Sequence, residues 1–144
     1  MKTCIAFFRG INVGGHNKLP MKELAALLEG LGLSGVRTYI QSGNVVFRAS
    51  KGTAAQWSKT IRTAVEGRFG FSPWVLVMEA AALASAAAAN PYPQAEVDHK
   101  TLHLFFLAAK PKSPDFDALN RLKAPDESYT LLDTVLYLHA PNGI

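Results

Sequence analysis

The order of two hydrophobic periodicities over residues 1–79 constrains the fold of this chain more than any other feature. Short apolar runs, which are typical of strands, alternate with segments in which apolar residues recur every three or four positions, which are typical of helices. Residues 3–8 form a continuous apolar run that predicts a buried first strand. After Pro20, which suits the first turn of a helix, one helical face is apolar at Leu24, Leu27, Leu28 and Leu31.

Residues 36–48 predict a β-hairpin. Two strand-like runs at residues 36–40 and 45–48 flank the segment Gln41-Ser42-Gly43-Asn44. Glycine and asparagine are the residues that tight hairpin turns favour, because they accept positive φ angles.

A second helix and a fourth strand complete this unit. Thr53 and Gln56 have the spacing of a capping box, which predicts a helix start, and Gly70 predicts its end. Residues 71–79 read as a strand, and Pro73 near its start favours an edge of the sheet because proline lacks a ladder donor. The resulting order β-α-β-β-α-β predicts a ferredoxin-like split βαβ arrangement and an α+β fold class.

The second half repeats part of this order. An alanine-rich helix at residues 80–89 is followed by a Pro-containing linker. Residues 101–109 then read as a strand, residues 116–122 as a short helix, and residues 129–132 and 135–140 as the two strands of a hairpin. This βαββ pattern suggests a degenerate repeat that stops at Ile144, where its second helix would begin. We therefore predict a ferredoxin-like domain at 1–79, a helix and linker at 80–99, and an incomplete α+β subdomain at 100–144.

Composition excludes several classes of protein. With 49% hydrophobic and 18% charged residues, the chain is too apolar for intrinsic disorder. A single cysteine excludes a disulfide framework and a multi-cysteine zinc site, and it suits a reducing compartment. Neither a signal peptide nor an 18-residue apolar segment is present. We expect a cytoplasmic protein with no membrane partner and no cofactor.

Charge is distributed unevenly along the chain. Residues 1–72 contain ten Lys and Arg against three Asp and Glu, a net charge of +7, whereas residues 73–144 contain five against eight, a net charge of −3. A basic surface attracts nucleic acids and other anions. Any anionic partner is therefore expected to bind the first half.

Two polar segments are predicted to meet at one end of the first sheet. The first two strands of a βαββαβ unit run parallel, so the loop after the first strand and the turn after the second lie at the same end. The loop also leads into a helix N-terminus, which favours anions. The candidate ligand-binding residues are Arg9, Asn12, Gly14, Gly15, Asn17, Lys18, Gln41, Ser42 and Asn44.

These residues predict a site for a small anionic or polar ligand, and they leave open whether the protein is an enzyme. The alternative is that Gly, Asn and Ser simply build turns here. No phosphate-loop or nucleophile-elbow pattern is present, so the catalytic residues are unknown.

His99 and His103 lie four residues apart in a strand-like context, about 13 Å from each other, which argues against a metal site. Cys4 reads as a small buried hydrophobe.

Two further functions are kept as alternatives. The basic first half, with Phe7, Phe8, Tyr39 and Phe47 on strands, allows a nucleic-acid-binding module, although residues 44–48 do not reproduce the aromatic pattern of an RNA-recognition strand. An incomplete second unit would leave an unpaired strand edge, which could support a protein interaction or a homodimer.

Three segments resemble a known family. The sequence RGINVGG at residues 9–15, followed by Asn17, resembles the opening signature of the DUF1697 family, and TYIQSGNVVF at residues 38–47 resembles its second signature. Tyr137-Leu138 with Pro141-Asn142-Gly143 is similar to a weaker third one. The resemblance implies two ferredoxin-like α+β halves and, because the family has no established activity, no catalytic residues. It also implies a shortened C-terminus, because members continue with another helix and strand.

Overall fold

The chain forms two compact α+β units. The computed structural model describes residues 1–40 and 43–144, and it divides into Met1–Ala84 and Ser85–Ile144. Within these residues there are four α-helices and two antiparallel sheets. The predicted α+β class is confirmed. No described helix combines the length and the apolar composition that a membrane span requires.

The first unit is a four-stranded antiparallel sheet with two helices. Its elements are β1 (Lys2–Arg9), α1 (Met21–Gly30), β2 (Ser34–Tyr39), β3 (Asn44–Ala49), α2 (Ala54–Phe69) and β4 (Trp74–Glu79). The strands have the order β2-β3-β1-β4, and each pair of neighbours is antiparallel. Strand β4 is therefore at an edge, as Pro73 predicts.

One face of this sheet forms the core with α1 and α2. Side chains alternate between the two faces of a strand, so every second residue of β1, β3 and β4 is buried. The helices contribute the apolar positions that their spacing predicts. The buried cluster includes Cys4, Ala6, Phe8, Val45, Phe47, Val75 and Val77 from strands, and Leu24, Leu28, Ile61 and Val65 from helices. The opposite face, which we call the outer face, carries the alternate residues of the same strands.

The local signals around α2 act as predicted. The Thr53 side chain accepts a hydrogen bond from the Gln56 backbone N–H at 3.1 Å, and the Gln56 side chain accepts one from the Thr53 N–H at 2.8 Å. Gly70 ends the helix with a φ of 81°. At α1, Pro20 is the residue before the first helical turn, with an extended ψ of 134°, so the helix starts one residue later than Pro20 suggests.

Both edges of the first sheet are irregular or covered. The pairing of β2 with β3 shifts register between Ser34 and Arg37. On β4, the outward N–H of Val77 donates to the Ser58 hydroxyl of α2 at 2.9 Å. Such features prevent a strand edge from pairing with another chain.

The second unit contains a three-stranded antiparallel sheet. Its elements are α3 (Ala80–Ala88), which contains the boundary between units, then β5 (Leu102–Phe106), α4 (Phe116–Leu122), β6 (Ser128–Leu132) and β7 (Val135–His139). The strands have the order β5-β7-β6. The buried Tyr137 hydroxyl donates to the Ala86 carbonyl at 2.6 Å. The strand predicted at 101–109 is shorter in the structure: Asp98 caps a 3-10 turn through Thr101, which delays its start by one residue, and residues 107–109 lie outside it.

Candidate functional site

The loop after β1 is a miniature hairpin. Val13 and His16 form a bridge, and the His16 N–H donates to the Val13 carbonyl at 3.0 Å. Between them, Gly14 and Gly15 have φ angles of 58° and 75°. A two-residue turn with positive φ at both central positions is of type I′, which favours glycine. The turn geometry therefore accounts for both glycines.

Two asparagines brace this hairpin. The Asn12 amide accepts from the Leu19 N–H at 2.7 Å and donates to the Leu19 carbonyl at 3.0 Å. The Asn17 amide donates to the Gly10 carbonyl at 3.0 Å, and both asparagines have positive φ. Asparagine accepts this conformation more readily than most residues. The loop thus has a defined shape held by its own side chains.

The loop and the β2–β3 turn meet at Gly43. The Phe8 N–H donates to the Gly43 carbonyl at 2.9 Å, and Gly43 has a φ of 84°. A Cβ at this position would lie 2.6 Å from Ile11 Cδ1 and 2.7 Å from Phe8 Cβ. Only glycine fits this approach of two chain segments. Gln41 and Ser42 lie outside the described residues.

Arg9 ends β1 at this same end of the sheet. It is paired with Trp74, and the alternation along β1 directs its side chain to the outer face. Phe7, the previous residue on that face, lies opposite Asn44. Arg9 is exposed and makes no side-chain hydrogen bond or ion pair with any described residue.

Lys18 lies at the other end of the loop, three residues before the start of α1. It is exposed, and it too forms no ion pair within residues 1–40 and 43–144. The first turn of α1 contains Glu23, which pairs with Arg68 at 3.7 Å. A carboxylate already occupies the position where the helix dipole favours negative charge. The helix start is therefore a weaker anion site than the sequence predicts.

The outer face carries two further arginines that the sequence analysis did not select. Arg37 lies opposite Val46, and Arg48 lies opposite Thr3, with its guanidinium over Gly35. Alternation from the buried Val45 and Phe47 is the signal that would have found Arg48. No Asp or Glu occupies a described outer-face position.

The aromatic side chains on the strands divide between core and surface. Phe8 and Phe47 are buried, and Phe47 packs edge-on against Trp57 at 6.5 Å between ring centroids. Phe7 is half-buried. Tyr39 has 70% of its surface exposed. Of the four aromatics considered for base stacking, Tyr39 is therefore the accessible one.

The remaining reactive side chains form no catalytic cluster among the described residues. Cys4 is buried, and that burial, together with the Glu79 carboxylate, raises the pKa of its thiol, which disfavours the reactive thiolate. His99 begins a 3-10 turn, whereas His103 lies in β5. No group of three or more His, Cys, Asp or Glu in the described chain is placed to hold a metal ion.

Comparisons with known proteins relate the chain to a solved bacterial structure and to a protein family. It resembles the conserved bacterial protein SP0830 from Streptococcus pneumoniae, with a TM-score of 0.77 and 24% identity over 96% of this chain and 77% of that chain. That likeness supports the fold alone. A search of curated proteins gives no match. The family model for a protein of unknown function, DUF1697, matches residues 1–137. The chain thus belongs to the DUF1697 family.

Proposed function

We propose that the first unit binds a small anionic ligand at the end of the sheet where β1 meets the β2–β3 turn. The observation that carries this proposal is Arg9, an exposed guanidinium without a described partner. Guanidinium groups bind phosphate and carboxylate through two parallel hydrogen bonds. An arginine that no protein carboxylate neutralises retains that capacity for a ligand.

Asn44 is the second group of the proposed site. Because Phe7 lies opposite Asn44, Arg9 is its diagonal neighbour, at about 7–8 Å between Cα atoms. One small anion can contact both side chains at this separation. Gln41, Ser42 and Lys18 remain candidate contacts, since they adjoin the same loop and turn. We assign Asn12, Gly14, Gly15 and Asn17 to holding the shape of the loop.

The test measures binding of inorganic phosphate, pyrophosphate and adenosine monophosphate by calorimetry and thermal shift. We expect at least one probe to bind the native chain, and Arg9→Ala to weaken it about 10- to 100-fold, the effect of losing a charged hydrogen bond. Arg48→Ala is the control, because it removes the same charge from the far end of the outer face. The proposal fails if no probe binds or if both variants weaken binding equally.

We also propose that the chain is organised as two subdomains joined by a helix and linker. A ferredoxin-like unit at residues 1–79 is supported by the order β2-β3-β1-β4 with antiparallel neighbours, and a linking helix within 80–99 is supported by the division at Ala84 and Ser85. Residues 100–144 would then be a second, βαββ subdomain.

We also propose a cytoplasmic location, which is supported by the single, buried thiol of Cys4.

A second candidate function is binding of single-stranded nucleic acid on the outer face. Arg9, Arg37 and Arg48 are exposed on it, no described carboxylate shares it, and Tyr39 offers a ring for base stacking. Basic grooves with accessible aromatic rings are typical of proteins that bind single strands. The charge of +7 over residues 1–72 favours the same partner.

Fluorescence anisotropy with short labelled RNA and DNA strands separates the two functions. If nucleic acid binds, each of Arg9→Ala, Arg37→Ala and Arg48→Ala should lower the salt slope of log K by about 0.7–1, because each neutralises one phosphate. Tyr39→Ala should weaken binding about tenfold through lost stacking. Arg121→Ala, on α4, is the control. Absence of binding at about 50 mM salt would eliminate this function.

A further inference from the structure

Trp74 is an exposed aromatic residue beside the proposed anion site, and neither candidate function above uses it. It is the first residue of β4, and 50% of its surface is exposed. It lies directly opposite Arg9 of the antiparallel neighbour β1. Directly opposed residues of antiparallel strands share a face of the sheet, with Cβ atoms about 4.5–5.5 Å apart. An unpaired guanidinium and an indole ring therefore extend from adjacent points of the outer face.

Arg62, on α2, holds this ring from one side. Its Cζ atom lies 5.6 Å from the centroid of the Trp74 ring, and its Nε donates to the Ser72 hydroxyl at 2.8 Å. A guanidinium is attracted to the negative face of an indole. The hydrogen bond to Ser72 fixes that guanidinium in place. Since half of the Trp74 surface is nevertheless exposed, a ligand can reach the other face and the edges of the ring.

Positive charge surrounds Trp74 without a compensating carboxylate. Neither Arg9 nor Arg62 forms an ion pair with a described residue. No Asp or Glu occupies a described position of the outer face. Uncompensated positive charge raises the local concentration of anionic ligands. A ligand that fits this surface therefore combines a negative charge with a flat aromatic ring.

We propose that the anion bound at Arg9 is the phosphate of a nucleoside monophosphate, and that its base stacks on Trp74. This inference rests on the anion site proposed above. In such a ligand a ribose joins the phosphate to the base, so the two groups can reach side chains that are neighbours on the sheet. Stacking on an aromatic ring accepts every base, because each base has a π face. Because Arg62 covers one face of the ring, one nucleotide binds per chain.

Calorimetry with four matched probes separates the two contacts. The probes are inorganic phosphate, ribose 5-phosphate, adenosine and adenosine monophosphate (AMP). AMP should bind about tenfold or more tightly than ribose 5-phosphate, which lacks the stacking base. AMP should also bind about tenfold or more tightly than adenosine, which lacks the charged partner of Arg9. The stoichiometry should be one AMP per chain.

Substitutions at Trp74 locate the base. Trp74→Ala should abolish the preference for AMP over ribose 5-phosphate, whereas Trp74→Phe, which retains a ring, should preserve most of it. Phe116→Ala is the control, because it removes an aromatic ring that is 42% exposed on α4, and it should leave the preference unchanged. The comparison of probes on the native chain decides the question even if a variant misfolds.

Tryptophan fluorescence gives an independent measurement. The chain has two tryptophans, and a base stacked on Trp74 should quench part of their emission. Trp74→Phe leaves the half-buried Trp57, so AMP should not quench the emission of that variant.

The nucleotide and the anion site fail on different results. Equal binding of AMP and ribose 5-phosphate would overturn the nucleotide and leave the anion site in place. Equal binding of AMP and adenosine would overturn both, since Arg9 would then contribute nothing, and so would the absence of binding by all four probes. A preference for AMP that survives Trp74→Ala, or that Phe116→Ala also abolishes, would place the base elsewhere.

Discussion

Replacing Gly43 with alanine should destabilise the first unit by about 2–5 kcal/mol. Left-handed φ costs a residue with a Cβ about 1–2 kcal/mol, and overpacking adds about 1–3 kcal/mol. Gly43 has a φ of 84°, and its new Cβ would lie within 2.7 Å of both Ile11 and Phe8. Urea unfolding followed by tryptophan fluorescence measures this loss in the first unit, since Trp57 and Trp74 both belong to it.

Gly15→Ala is the matched control for this prediction. Gly15 has a similar φ of 75°, but no atom outside its neighbours lies within 4 Å of its Cβ position. Gly15→Ala should therefore lower the free energy of unfolding only by the cost of the left-handed conformation, about 1–2 kcal/mol. Equal losses for the two variants would mean that the close packing of the turn against the loop contributes nothing to stability.

Phe47→Ala should cost about 3–5 kcal/mol, because it leaves a cavity in the core of the first unit. The Phe47 side chain is fully buried and packs edge-on against Trp57. The midpoint of urea unfolding should fall with little change in slope. The tryptophan emission should also change, since Trp57 loses its neighbouring ring.

Val46→Ala provides the comparison within the same strand. Val46 follows the alternation to the outer face and is 39% exposed, so its truncation should cost less than about 1 kcal/mol. A loss at Val46 as large as that at Phe47 would contradict the assignment of the two faces of β3.

The elements that the sequence predicted well depend on contacts within a few residues. Thr53 and Gln56 form their capping box, and α4 spans Phe116–Leu122 as its pattern indicates. Boundaries were less accurate where neighbouring segments compete. Asp98 caps a 3-10 turn through Thr101, which delays the start of β5 to Leu102. A side-chain cap of this kind competes with the extended conformation that an apolar run favours.

The candidate site was predictable only in part. The sequence identified the two segments that meet at Gly43, because strand direction follows from the order of elements. It did not distinguish Gly14 and Gly15 in a type I′ turn from glycines that approach a ligand, since both uses require positive φ. It also grouped Arg9 with the start of α1, whereas alternation along β1 directs Arg9 to the outer face.

By itself, the sequence determined the α+β class, the order of helices and strands and the position of the basic half, because periodicity, caps and charge are properties of adjacent residues. Tertiary structure alone decided which residues share a surface. Strand pairing joins Arg9, Arg37 and Arg48 on one face and Cys4, Val45 and Phe47 on the other. These groupings depend on the register between strands that are distant in the chain, and a shift of one residue would reverse every side chain.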